Sequence, residues 1–215
     1  LISLLPGASI KTKMKTHLFG DPLRSFRFLL PVLFSPLANL KDKWLIYQLQ
    51  RELRQDSLDV IFSKEEFKTI DYLKKKGFSV DIIESFFRPF YAGIFLEPEL
   101  RTSSRMFEFV FKMFAEGSAA IPKKGMEAIP QQMFKNLKHT QLRLNSKVVN
   151  IEDNFVLLVD GTRIEADRGI IACEIPKNLK GLENLPIQWN SCHNFYFEVD
   201  KEVVSGCLIG LIRDT

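Results

Sequence analysis

The sequence predicts an α+β fold: a helical block, then a short β meander, then the start of a further sheet. Three patterns carry that prediction. Apolar residues recur at three-to-four spacing between Lys41 and Gln55. The stretch SSRMFEFVFKMFAEG, with its four phenylalanines, reads as one helix over Ser104–Glu116. From Lys147 onward short apolar runs alternate with turns, and Asp160-Gly161 supplies a hairpin signal.

Taken in order, Gly7 to Leu18 (GASIKTKMKTHL) alternates loosely and predicts one or two short strands. GDPLRS, Gly20 to Ser25, is a turn in which Pro22 fixes φ. Trp44, Leu45, Leu49 and Leu53 place the apolar face of an amphipathic helix over Lys41–Gln55. SKEE then offers a capping box, Ser63 as the cap and Glu66 three residues on. Phe67, Ile70 and Leu73 form the inner face of the helix it would open, and Gly77 stops it. Ser79 caps another short helix through Phe86 and Phe87, which Pro89 is expected to end.

On the helix over Ser104–Glu116 the polar residues are Arg105, Glu108, Lys112 and Glu116. They form a single narrow stripe, expected to face solvent, with Glu108 and Lys112 spaced for an i,i+4 pair. The remaining circumference is apolar or small and is expected to be buried. A second helix covers roughly Glu127 to Leu137. Four β runs follow: KVVNIE (Lys147 to Glu152), FVLLVD (Phe155 to Asp160), TRIEA (Thr162 to Ala166) and GIIAC (Gly169 to Cys173). The last is apolar throughout and predicts a strand buried on both faces. NFYFEVD and GCLIGLI predict further strands near the end.

Composition narrows the function. The 215 residues allow one large or two small domains, and the net charge of +4 is mild, with lysines and arginines scattered. Nucleic acid is therefore not an expected partner. The densest basic run, LKKKGF, sits at a helix end where cations suit the dipole. Nineteen phenylalanines against four tyrosines and two tryptophans fit a large apolar interior or a pocket for a large apolar ligand. Cys173, Cys192 and Cys207 form no CxxC and no even-numbered framework, which points to a reducing, cytoplasmic compartment. His17, His139 and His193 lack partners at ligand spacing, so no metal site is expected. The longest uncharged apolar run, Phe28 to Leu40, is thirteen residues with two prolines, whereas a spanning helix needs about 20. It suits packing, or contact with a bilayer face.

Catalytic signatures are sparse. No two glycines are separated by a single residue, so GxGxxG is absent, as are GxxxxGK, GxSxG and HExxH. Glu97 and Glu99 flank Pro98 and mimic a carboxylate pair, but a solvated loop accounts for them. The chain opens at Leu1 and halts at GLIRDT after a strand-like run, an arrangement expected of a piece of a longer protein.

The order of the pieces carries a resemblance. IPKKGMEAIPQQM follows the phenylalanine-rich helix; then come Val148 to Ile151, the Asp160-Gly161 turn and ADRGIIAC. Upstream stand GDPLRS, DKW, GFS and FFRPFYAGIFLEPELRTSSRMF. Together these resemble the flavin-containing amine oxidase superfamily, most nearly its phytoene desaturase-like and protoporphyrinogen oxidase-like branches. In those proteins a Pro-x-Gly-Gly-Met turn opens a helix, and Lys124 here replaces the first glycine.

The resemblance implies FAD bound non-covalently on a two-domain scaffold with a Rossmann-like FAD-binding part. Residues 1–140 would form a mostly helical substrate-binding domain, 141–180 a β-meander of the FAD-binding domain, and 181–215 return strands of the substrate-domain sheet. Val148 would meet the adenine end through its backbone, and the turn with Lys123, Lys124, Gly125 and Met126 would lie near the isoalloxazine ring. Phe107, Phe111 and Phe114, with Phe86, Phe87 and Phe90, would line a pocket for an apolar small-molecule substrate. The Gly-rich βαβ unit of the family would have to come from outside these residues, so FAD would not be retained by them alone. The alternative is a non-catalytic lipophile-binding or membrane-surface module that uses Phe28 to Leu40 as its contact.

Overall fold

The computed structural model describes residues 1–4, 7–11, 16–20, 38–117, 119–152, 154–173, 189–198, 200 and 209–212. The end of the GDPLRS turn, most of the Phe28–Leu40 run and Cys207 lie outside the described residues. The fold is α+β, with several helices and, among the described residues, three small sheets. The chain divides into two compact units, one of Leu1–Ile129 with Asn190–Thr215, the other of Pro130–Trp189.

In the first unit, β1 (Ile2–Ser3) pairs antiparallel with β4 (Ala120–Ile121). β2 (Gly7–Lys11) and β3 (Thr16–Gly20) form an antiparallel pair, and β8 (Ile209–Ile212) lies parallel on the other side of β2. β2 is thus central, and its alternate residues Ala8 and Ile10 are buried.

Helix α1 (Leu40–Gln55) opens on a capping box built by Asn39, whose side chain accepts from the Asp42 amide at 2.8 Å. Asp42 is itself fully buried. Its carboxylate also takes the Ser79 amide at 2.8 Å and the Ser79 hydroxyl at 2.6 Å, tying the start of α1 to the start of a later helix. Leu49 and Leu53 enter the core and Leu45 is half-buried, whereas Trp44 faces out.

Helix α2 (Leu58–Ser63) ends where the expected capping box would begin. Ser63 donates back to the Val60 carbonyl at 2.8 Å instead of capping forward. The next helix, α3 (Thr69–Lys76), has no side-chain cap because another helix entrance satisfies its start. Thr69 and Ile70 amides donate to Thr102 and Leu100 carbonyls at 2.9 and 3.0 Å. In return Ser104 donates to Phe67 O at 2.8 Å, and its hydroxyl accepts from Phe67 N at 3.1 Å. Gly77 closes α3 with φ +88°, as a left-handed stop requires.

Ser79 caps α4 (Val80–Ile82) as expected, but Pro89 does not end the helical run. A π-helical turn, Ile83–Phe87, leads directly into α5 (Arg88–Phe95). Pro89 sits in the first turn of α5, where its missing N–H costs least, and the widened π turn before it gives its ring room. Glu97 also departs from expectation. It is buried and accepts from the Thr102 amide and hydroxyl at 2.9 and 3.0 Å, while Glu99 stays exposed beside Arg101.

Helix α6 spans Ser104–Glu116 between Ser103 and Gly117. A Cβ on Gly117 would stand 2.9 Å from the Met113 carbonyl, so close approach rather than unusual φ demands glycine at this stop.

In the second unit β5 (Val148–Ile151), β6 (Phe155–Leu158) and β7 (Arg163–Glu165) form an antiparallel meander. Its second turn uses Gly161 at φ +84°, with Thr162 donating to Asp160 at 2.9 Å. Two expected strands are absent among the described residues. Residues 169–173 pair with nothing there and leave Ile170 94% exposed, and the described residues of the NFYFEVD run, 194–198 and 200, are likewise exposed and unpaired. A strand needs a neighbouring edge to satisfy its backbone, and apolar composition alone does not supply one. Helix α7 (Ala128–Lys135) is shorter at both ends than expected.

Phe107 lies at the centre of the core with its ring 4.7 Å from Tyr91, 5.6 Å from Tyr72 and 5.8 Å from Phe87. Phe107→Ala is expected to lose about 3–5 kcal/mol of stability, and Phe114→Ala, at the surface of the same helix, under about 1 kcal/mol. Urea denaturation of the two variants measures the difference.

Candidate functional site

The middle of the α6 polar stripe is buried, against the sequence expectation, while Arg105 is half-buried and Glu116 exposed. Glu108 is 3% exposed and Lys112 8%, while Met106, Met113 and Phe114 are 37–40% exposed. The neighbouring elements explain this burial. Glu108 receives the Lys64 ammonium at 2.8 Å, and Lys64 also holds Asp56 at 2.7 Å. Lys112 donates to the Leu53 carbonyl at 2.7 Å, in the last turn of α1, and to Glu116 at 2.6 Å. A cation there answers an unsatisfied helix-end carbonyl and the negative end of the α1 dipole. Glu108 and Lys112 therefore do not pair with each other. Glu108 is met from the α2–α3 connection, and Lys112 reaches both α1 and its own helix.

Around Glu108 a cleft of about 210 Å³ is lined by Glu52, Lys64, Glu65, Phe67, Tyr72, Lys76, Ser104, Arg105 and Glu108. Lys76 closes on Glu52 at 2.7 Å. The Tyr72 hydroxyl is buried beside Glu108 but outside normal hydrogen-bond reach of the described residues. Positive and negative groups balance along these walls, and the principal ones are paired with one another. This is a structural ion network, which sequence reasoning missed by assigning the stripe to solvent. Its signal was present: four polar residues spaced three, four and four on a helix whose other face is methionine and phenylalanine.

The outer face of α6 has a different character. Met106, Met113 and Phe114 are exposed and Phe109 and Val110 half-buried, so apolar side chains cover this side. The three expected pocket residues lie at three depths: Phe107 in the core, Phe111 half-buried against it at 5.9 Å, and Phe114 on the outer face. Phe114 continues into an aromatic ladder, 5.3 Å from Phe90, which stacks on Phe86 at 5.6 Å with 13° between the planes. Phe87 faces the core instead.

The turn before α7 is held by Gly125, whose amide donates to Pro122 O at 3.0 Å with φ +87°. No atom lies within 4 Å of where its Cβ would be, so conformation, not crowding, requires glycine. Lys123, Lys124 and Met126 are exposed around it. The turn delivers two lysines and an open backbone to the start of α7, a position that favours negative charge. Val148 lies on β5, an outer strand of the meander. Lys147 gives its carbonyl to Val159 at 2.9 Å, and antiparallel alternation turns the Val148 main chain toward the open edge. The Gly125 turn and Val148 belong to different units.

The ion network has a pH signature. Burial opposes the Lys64 charge, but hydrogen bonds to Asp56 and Glu108 outweigh it and hold its pKa above the ordinary 10.5. Burial, then the Glu108 carboxylate, pushes the Tyr72 phenol well above 10.0, and burial does the same for Tyr91. All three folded-state values exceed the unfolded ones. Their contribution is complete below pH 10.0 and is lost as pH rises beyond it. The thermal midpoint is therefore expected to decline above that point, less steeply in Tyr72→Phe. Glu108→Ala, which leaves Lys64 and Tyr72 facing an emptied position, is expected to cost about 2–3 kcal/mol at neutral pH. A denaturation midpoint unchanged by that substitution would remove the network from the account.

Comparison with known proteins bears on the whole arrangement. A search of curated proteins finds no match. The sequence model of one family, described as flavin containing amine oxidoreductase, matches residues 10–191. That range takes in the helical block, the Gly125 turn and the β meander, and the chain belongs to the flavin-containing amine oxidoreductase family.

Proposed function

We propose that this chain is the substrate-facing portion of an FAD-dependent oxidoreductase of the desaturase or isomerase type, nearest the phytoene desaturase-like and protoporphyrinogen oxidase-like branches, acting on a long apolar substrate. The outward apolar face of α6 carries the reading. A helix that buries Glu108 and Lys112 and presents Met106, Met113 and Phe114 is built to contact something apolar. Methionine and phenylalanine conform to a long, flat ligand and shed water from it.

In this reading FAD, when bound, accepts the hydride from a C–C or C–N unit of the substrate. The chain supplies position and dryness. Phe114, Phe90 and Phe86 hold the substrate by its length, while Met106 and Met113 close the wall. The charged residues of α6 mostly turn away from this face, so it offers an amine no buried counter-ion. The exposed Gly125 turn, with Lys124 and the start of α7, favours negative charge on a flavin ring brought against it. Val148 offers main-chain groups to the adenine end. The Gly-rich loop that holds the pyrophosphate in this family has no counterpart in the 215 residues, and in this reading it lies elsewhere in the protein.

Two measurements test the proposal. The full-length protein should be yellow as purified, and residues 1–215 alone colourless. Polyenes at about a hundredfold excess over their dissociation constant should stabilise the full-length protein by about 2.7 kcal/mol, and short primary amines should not. Phe114→Asp should remove the polyene response while leaving the fold intact. Stabilisation by small amines alone would reverse the substrate assignment, and a colourless full-length protein that still binds polyenes would favour a non-catalytic lipophile-binding module.

A further inference from the structure

A second apolar face lies on α1, away from the core and unrelated to α6. Leu45, Ile46, Leu49 and Leu53 point α1 inward. On the opposite side Leu40, Trp44, Tyr47, Arg51 and Arg54 recur at spacings of four, three, four and three, which aligns them in one strip along the helix. The strip is about 21 Å long at 1.5 Å per residue. Leu40 is 77% exposed, Trp44 57% and Tyr47 51%, and both arginines are exposed. Its first half is aliphatic and aromatic; its second half is cationic.

The charge on this face is uncompensated. The acidic residues of α1 are Asp42, buried and held by Asn39 and Ser79, and Glu52, taken by Lys76. Lys41, Arg51 and Arg54 take part in no ion pair among the described residues. Val80 adds to the apolar end at 70% exposure, next to the Ser79–Asp42 tie.

We propose that this face of α1 docks on an anionic lipid bilayer. Tryptophan and tyrosine present an apolar ring and a polar tip, which suits the depth where headgroups meet acyl chains. Arg51 and Arg54 reach lipid phosphates from the same strip, and Lys41 flanks its start. Charge complementarity selects the occupant: three cations without an ion pair among the described residues, beside buried or paired acids, fit a sheet of phosphates better than a neutral protein groove. No described helix is long and apolar enough to cross a membrane, so the contact lies on the surface.

The test is flotation of the full-length protein with vesicles of phosphatidylcholine alone, or with about one-third phosphatidylglycerol added. Binding is expected only to the anionic vesicles and is expected to weaken with added salt. The double variant Arg51→Gln, Arg54→Gln should lower partitioning about 30-fold at an unchanged thermal midpoint, since both side chains are solvent-exposed. On binding, tryptophan emission should shift to the blue, a change lost in Trp44→Phe and retained in Trp189→Phe. Equal binding to both vesicle types, or equal partitioning of the double variant and the parent, overturns the proposal. So does a protein that ignores vesicles but self-associates through this face, shown by a dimer that Trp44→Arg abolishes.

Discussion

The position of α6 depends on two charged side chains that tie it to α1 and to the α2–α3 connection. Lys64 on Glu108 and Lys112 on the Leu53 carbonyl fix the rotation of α6 about its own axis. Rotated half a turn, the helix would bury methionines and leave its charges in water, as a simple amphipathic pattern prefers. The anchors offset that preference because they do more than pair charges. Lys112 satisfies a carbonyl at the end of α1, and Lys64 gathers Asp56 and Glu108 where the chain leaves α2. Once that rotation is set, Phe107 falls among Tyr72, Phe87 and Tyr91, and the outer face of α6 is left apolar.

The same geometry relates stability to chemistry. Charges that other sites use to meet polar ligands are here used to hold helices together. What remains outward on α6 is polarizable and mostly uncharged, suited to contact and exclusion of water more than to proton transfer. A flavin enzyme acting on an apolar molecule can operate with such a wall because the cofactor carries the redox step. In the proposed function the protein's part is orientation.

Much of this fold was legible in the sequence. Ser104–Glu116 emerges with the expected bounds, Gly77 and Ser79 act as stop and cap, and the Asp160-Gly161 hairpin forms. These features are local: they depend on a cap, a left-handed glycine or a turn within a few residues. The errors have the opposite character. Ser63 loses its expected cap role because Phe67 and Ser104, 37 residues apart, close the entrance of α3 together. Pro89 fails as a terminator because a π turn precedes it. Glu108 and Lys112 on α6 face inward because their partners come from the α2–α3 connection and α1. Of the candidate site, the Gly125 turn was visible as a turn, while the exposure of Phe114 and the burial of Phe107 were not, since periodicity does not say which neighbour lies on which side.

The reach of the α6 anchors also orders the protein's synthesis. The Leu53–Lys112 bond closes 59 residues, Lys64–Glu108 closes 44, and Thr69–Thr102 closes 33. While the chain is being made, α1, α2 and α3 leave the ribosome with Asp56, Lys64 and the end of α1 facing water. They commit to the native packing only after residue 112 has emerged. A nascent chain stopped short of that point carries the helices but lacks the piece that locks them. Contacts of this separation form late, and until they do the phenylalanines of α6 are available to other chains.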